Sequence, residues 1–173
     1  MVILKKILIG IGAIIVLLVI VFGIYLLVNR QGVAEPFEVG VADMNKKVLI
    51  ATQGSDYKNL MVDTLVSRLK AEDVYISIID ISNLSEINQE DWDAEVIIHT
   101  TEGYRLPEVV KEYLVRVENS DEVILLITSG SGEWKPEDCK VDALTSASKV
   151  ADISEKANSI EEKVNSLLEV EEE

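Results

Sequence analysis

Two kinds of apolar pattern divide the chain. From Ile7 to Val28 the sequence is uncharged and apolar with no period, whereas from Lys47 onward short apolar runs alternate with stretches whose apolar residues recur every three or four positions. Val48 to Ala51 is continuously apolar, as expected of a strand covered on both faces. It gives way to Thr52, Gln53, Gly54, Ser55 and Asp56, residue types of turns and helix caps. From Tyr57 the spacing becomes helical, with Met61, Val62, Leu65, Val66 and Leu69 on one face and Lys58, Asp63, Arg68 and Lys70 elsewhere. A strand feeding a helix in this way is the first half of a βαβ unit.

The same alternation continues. Val74 to Asp80, Ala94 to His99 and Val123 to Thr128 read as further strands, and Val141 to Leu144 as a short fifth. Asn83 to Trp92 is polar, with room for a helical turn or two. Pro107 to Val117 predicts a helix burying Val110, Tyr113, Leu114 and Val117, and Ile153 to Leu168 a closing helix. Strands apolar throughout, alternating with helices, predict an α/β domain over residues 46–168 with an open parallel sheet and helices on both faces. Residues 29–45, with Gly32, Pro36 and Gly40, read as a linker, 1–6 as a basic flank and 169–173 as an acidic tail.

In such sheets ligands bind beyond the carboxyl ends of the strands, where the strand order reverses. Three loops qualify: Thr52 to Tyr57, Thr100 to Leu106 and Ser129 to Lys135. Tyr104 and Trp134 put a large ring in two of them, a pair suited to holding a planar ring system.

At these residues the chain resembles the flavodoxin-like family. DAEVIIHTTEGYRLPEVVKEYL is similar to the family's third strand, flavin-flanking loop and following helix, EVILLITSGSGEW to its fourth strand and second flavin-flanking loop, and TQGSDYKN stands where its phosphate loop belongs. The tract VDALTSAS, Val141 to Ser148, also resembles members of this family. The resemblance implies a doubly wound sheet of order 2-1-3-4-5, FMN as cofactor and electron transfer as activity. The implied contacts are Thr52, Gly54 and Ser55 for the phosphate, Tyr104 and Trp134 for the ring, and the backbone from Thr101 to Gly103 and from Gly130 to Gly132 for the ring edge.

The chain departs from the pattern in two places. Thr52 keeps the first hydroxyl of the family's Ser/Thr-x-Thr-Gly-Asn-Thr loop, but Gly54 and Tyr57 replace the other two, and Asp56 at the helix start would repel a phosphate. Gly132 to Lys140 is too short for the usual crossover helix, which leaves the fifth strand missing, antiparallel or a mere extended edge. Two readings follow: an FMN-binding electron carrier, or a flavin-free domain acting as a binding or assembly module.

Charge and length refine this picture. Of the chain's 16 basic and 31 acidic residues, the first 30 positions hold three basic and no acidic ones, leaving a balance of −18 on the remainder. That excludes nucleic acid as a natural partner. Ile7 to Val28 would span about 33 Å as a helix, enough to cross a bilayer. The run exceeds the apolar core of a signal peptide, although Gly32-Val33-Ala34 offers a cleavage-like site. The expectation is an uncleaved single-pass anchor in the cell membrane, with the lipid bilayer and a membrane redox or assembly partner as contacts. Lys5 and Lys6 predict a cytoplasmic N-terminus and an extracytoplasmic domain. One cysteine, Cys139, permits no internal disulfide. With one histidine, His99, it cannot furnish an ordinary Cys/His metal site. His99, ending a buried strand, reads as structural rather than catalytic, and neither a dinucleotide fingerprint nor a Gly-Lys-Ser/Thr loop is present.

Overall fold

The computed structural model describes residues 2–28, 31–70, 73–137 and 140–170; Arg30, Cys139 and the acidic residues 171–173 lie outside the described residues. The chain forms two compact units, residues 1–31 and 32–173.

The first unit is helix α1 (Val2–Val28). Among the described residues no helix is long and apolar enough to cross a membrane. This finding overturns the single-pass location expected from Ile7 to Val28, together with the cytoplasmic N-terminus and extracytoplasmic domain argued from it.

The second unit is a seven-stranded sheet with helices on both faces. Its strands are β1 (Gly32–Val33), β2 (Phe37–Val39), β3 (Lys46–Gly54), β4 (Val74–Asp80), β5 (Ala94–Thr100), β6 (Val123–Thr128) and β7 (Asp142–Ser146). The order across the sheet is β2-β4-β3-β5-β6-β7, with β1 attached to β3. β4, β3, β5, β6 and β7 are mutually parallel, while β1 and β2 run antiparallel to their partners. The five parallel strands, β4-β3-β5-β6-β7, stand in the expected order 2-1-3-4-5, and the sheet as a whole differs from it by two additions: an antiparallel strand beyond β4 and a second that caps the end of β3. Both come from the segment read above as linker. β7 is present and parallel, and its connection from β6 contains no helix among the described residues.

The apolar runs explain the layers. Val48, Ile50, Val96, Ile98, Ile124 and Leu126 face a core closed by α2 (Asp56–Leu69) and α4 (Ile153–Val170). Ala51, Ile97, Leu125 and Ile127 face a second core closed by α3 (Glu108–Arg116) and the 3-10 turn Ile81–Glu86. Arg68 on α2 binds Asn158 and Glu161 on α4, which fixes these two helices against each other.

One carboxylate breaks the apolar rule. Glu95 on β5 is buried with Tyr113 of α3, whose hydroxyl donates to its Oε1, while Oε2 has no hydrogen-bond partner. Burial pushes its pKa up to about 7; Tyr113 opposes that rise, Glu122 adds to it and Arg116, 5.2 Å from the Tyr113 ring centre, lowers it. The folded chain thus holds a proton between pH 4.5 and 7 that the unfolded chain releases, so this group's contribution to stability falls as pH rises through that window. From pH 4.5 to 8 the stability of Glu95→Gln relative to the unaltered chain should rise by roughly 3 kcal/mol in urea unfolding. A difference independent of pH would contradict the assignment.

Candidate functional site

The parallel strands diverge in connection on either side of β3: the chain passes from β3 to β4 on one side, and β5 lies on the other. The carboxyl ends of β3 and β5 therefore flank the switch point at which such sheets bind ligands.

β3 does not stop at Ala51, as its apolar run suggests, but continues to Gly54, and the turn into α2 is a single residue, Ser55. Ser55 caps α2 by accepting from the Lys58 amide at 3.3 Å, and Asp56 occupies the first turn, where a carboxylate favours the helix dipole and disfavours an incoming anion. β1 pairs here in register, Gly32 opposite Gly54 and Val33 opposite Gln53. A Cβ on Gly54 would fall 2.7 Å from the Val33 carbonyl oxygen, so Gly54 is glycine because another strand lies against it. Nearby, Ala34 donates to Asp80 Oδ2 at 2.7 Å, which ties the same segment to the end of β4.

The neighbouring loops are engaged in the same way. Thr52 is buried and its hydroxyl donates to the Gln53 carbonyl at 3.2 Å. Gln53 Oε1 accepts from the Thr100 amide at 2.8 Å, the Thr101 amide donates to the Thr128 carbonyl at 2.9 Å, and the Gly132 amide donates to Ser129 Oγ at 3.0 Å. Gly130 and Gly103 border open space, the latter at φ 58°. Tyr104 follows at φ 60° and is 73% exposed, whereas Trp134 is half-buried against the core under α3. The two rings expected to face each other thus lie in different environments.

Sequence reasoning missed the most unusual group. Lys58, assigned to the polar face of α2, is buried, and its ammonium donates to Thr100 Oγ1 at 2.7 Å; Thr100 in turn shares a 2.7 Å hydrogen bond with Thr128. Burial lowers its pKa to about 8. The available signal was its position, one residue after Tyr57 in the first turn of α2, from which a long side chain reaches across the strand ends. His99 beside it is buried and held neutral, its pKa lowered to about 4 by burial and also by Lys58. Tyr57 closes the other flank, donating to Ser146 Oγ at 2.8 Å, and Ser146 donates to Asp152 at 3.0 Å. The tract Val141 to Ser148 accordingly supplies β7 and the hydroxyl that anchors Tyr57.

FMN is the group this arrangement was expected to take. The phosphate loop does not fit it: β1 covers the end of β3, Ser55 caps its own helix, and Asp56 sits at the anion position. No family model matches the chain, and no curated protein matches it. Among solved structures, it is similar to a putative quinone reductase from Klebsiella pneumoniae, at 10% identity over 71% of this chain and 85% of that one, with a TM-score of 0.46. It is also similar to a flavodoxin from Streptococcus pneumonia TIGR4, at 13% identity over 69% of this chain and 97% of that one, with a TM-score of 0.43. Likenesses at this level carry no argument about chemistry, and the fold rests on the strand order and crossovers described above.

A buried cation with a depressed pKa makes a prediction. Between pH 8 and 10.5 the unfolded chain holds a proton that folded Lys58 has lost, so stability from this group rises with pH through that window. The unaltered chain should gain roughly 3 kcal/mol relative to Lys58→Met across it, measured by urea unfolding at several pH values. A constant difference would mean that the ammonium is solvated.

Proposed function

We propose that this flavodoxin-like domain is a binding module that works without FMN. The observation that carries the reading is β1, which lies antiparallel on Gln53 and Gly54 where a phosphate would have to enter. A dianion there would face Asp56 and would have to displace a strand, with only Thr52 of the expected hydroxyls in place. The internal hydrogen bonds of the Thr101, Glu102 and Gly132 amides support the same reading, because part of the backbone expected to read a ring edge is already engaged. In this role the fold presents loops and helix faces to a partner, and its chemistry needs no side-chain base.

A second reading, the FMN-dependent electron carrier, is favoured by one feature: the exposed ring of Tyr104 on an open turn beside Gly103. The two separate in a titration. The purified chain should be colourless, and micromolar FMN should leave its tryptophan fluorescence without a saturable change. Saturable binding that is tightened by Asp56→Asn and weakened by Trp134→Ala would overturn the flavin-free reading. Equal binding of riboflavin and FMN would also overturn it, through a ring-only site at Tyr104.

A further inference from the structure

Tyr113 does more than hold Glu95. With Arg116 and Val117 at the end of α3 it walls a cavity of about 310 Å³, whose other sides are the segment leading into β5 and the loop that follows α3. Trp92 and Asp93, directly ahead of β5, and Glu122, directly ahead of β6, also line it, which places it at the amino ends of these strands. Gln89 fixes the two sides to each other. Its Oε1 accepts from the Glu118 and Asn119 amides at 2.9 and 3.2 Å, and its Nε2 donates to the Asn119 carbonyl at 2.6 Å. The cavity is thus preformed, and its volume lies within the range of small-ligand sites.

The charge around it is unbalanced. Four carboxylates, Glu90, Asp93, Glu118 and Glu122, line it against one guanidinium. Arg116 donates to the Leu84 carbonyl at 2.9 Å and lies over the Tyr113 ring, so it is committed to the wall. Asp93 accepts from the Lys47 amide at 2.6 Å, and Glu122 from the Asn119 and Gln89 side-chain amides at 2.5 and 3.3 Å. These donors are neutral and leave both negative charges in place. Acidic excess is general on this unit, but Glu95 singles the cavity out. It is fully buried, and its Oε2 has no hydrogen-bond partner. It stands directly behind the wall, because the groups that act on it, Tyr113 by hydrogen bond and Arg116 and Glu122 by charge, all line the cavity. Trp92, half-buried and stacked on Tyr75 with 6.1 Å between ring centres, adds an aromatic surface of the kind that attracts cations.

We infer that this cavity binds a small organic cation, a primary ammonium on an apolar or aromatic body, with its charge among Glu118, Glu122 and the buried Glu95 and its body against Trp92 and Val117. A cation there favours the ionised form of Glu95, and by reciprocity ionised Glu95 favours the cation. The other charged or titratable groups around Glu95 are Tyr113 and Arg116 from α3, Glu122 ahead of β6, Asp93 two residues before it, and Lys47, whose amide meets Asp93. The site lies at the opposite end of the strands from the loops after β3, β5 and β6, so binding there does not depend on whether FMN is taken.

Phenethylammonium and 2-phenylethanol share a body and differ in head charge, and calorimetric titration of each into the full chain tests the site. At pH 8 the ammonium should bind about tenfold more tightly than the alcohol, a difference of about 1.4 kcal/mol. Its affinity should rise about threefold from pH 6 to pH 8, across the Glu95 transition, and stay level in Glu95→Gln. Glu118→Gln with Glu122→Gln should bring the ammonium down to the affinity of the alcohol. Binding should alter tryptophan fluorescence, and that change should vanish in Trp92→Phe, which keeps Trp134. Equal affinity for the two probes, or an ammonium preference that survives the double glutamine change, would overturn the inference. So would a pH dependence retained by Glu95→Gln, or a fluorescence change retained by Trp92→Phe, since the cation would then be bound elsewhere.

Discussion

Everything in the second unit depends on β3 being shared. It has parallel neighbours on both edges, β4 pairing from Lys46 to Thr52 and β5 from Val48 to Thr52, and apolar layers on both faces. A strand so enclosed has no wet side, so Val48, Leu49, Ile50 and Ala51 must all be apolar, and the polar residues of the chain are driven to its carboxyl end. There the enclosure ends and Thr52, Gln53, Lys58, His99 and Thr128 meet, each buried and each obliged to find its partner inside the protein.

That obligation accounts for the character of the strand ends. Gln53 takes the Thr100 amide, Lys58 takes the Thr100 hydroxyl, and Tyr57 reaches Ser146. The exceptions are local. His99 Nε2 has no hydrogen-bond partner, and the group is tolerated because the imidazole is neutral, which burial itself enforces.

Much of this was legible in the sequence and some was not, for physical reasons. The parallel strands were readable because burial on both faces leaves uninterrupted apolar runs, and α2, α3 and α4 because one face of each meets the sheet at helical spacing. β1 and β2 were not, since strands of two and three residues carry no period, and Gly32, Pro36 and Gly40 speak for a linker. Lys58 was hidden because a lysine at an early helical position is ordinarily solvent-facing, and only the three-dimensional arrangement brings Thr100 within its reach. Trp134 was read as a ring platform because loop position alone does not tell which way a side chain turns; the structure turns it to the core beneath α3. The membrane location failed because no helix among the described residues is long and apolar enough to cross a bilayer.

β1 can be regarded as a ligand that the chain carries for its own loop. It is covalently joined through a short segment to β2, which is itself held on β4 from Phe37 to Val39. A binder tethered so closely acts at an effective concentration on the order of millimolar or higher, and it is always in place. Any diffusing molecule that sought the end of β3 would have to outcompete it, so the occupancy of that loop is set within the polypeptide and not by the concentration of a small molecule in the surroundings.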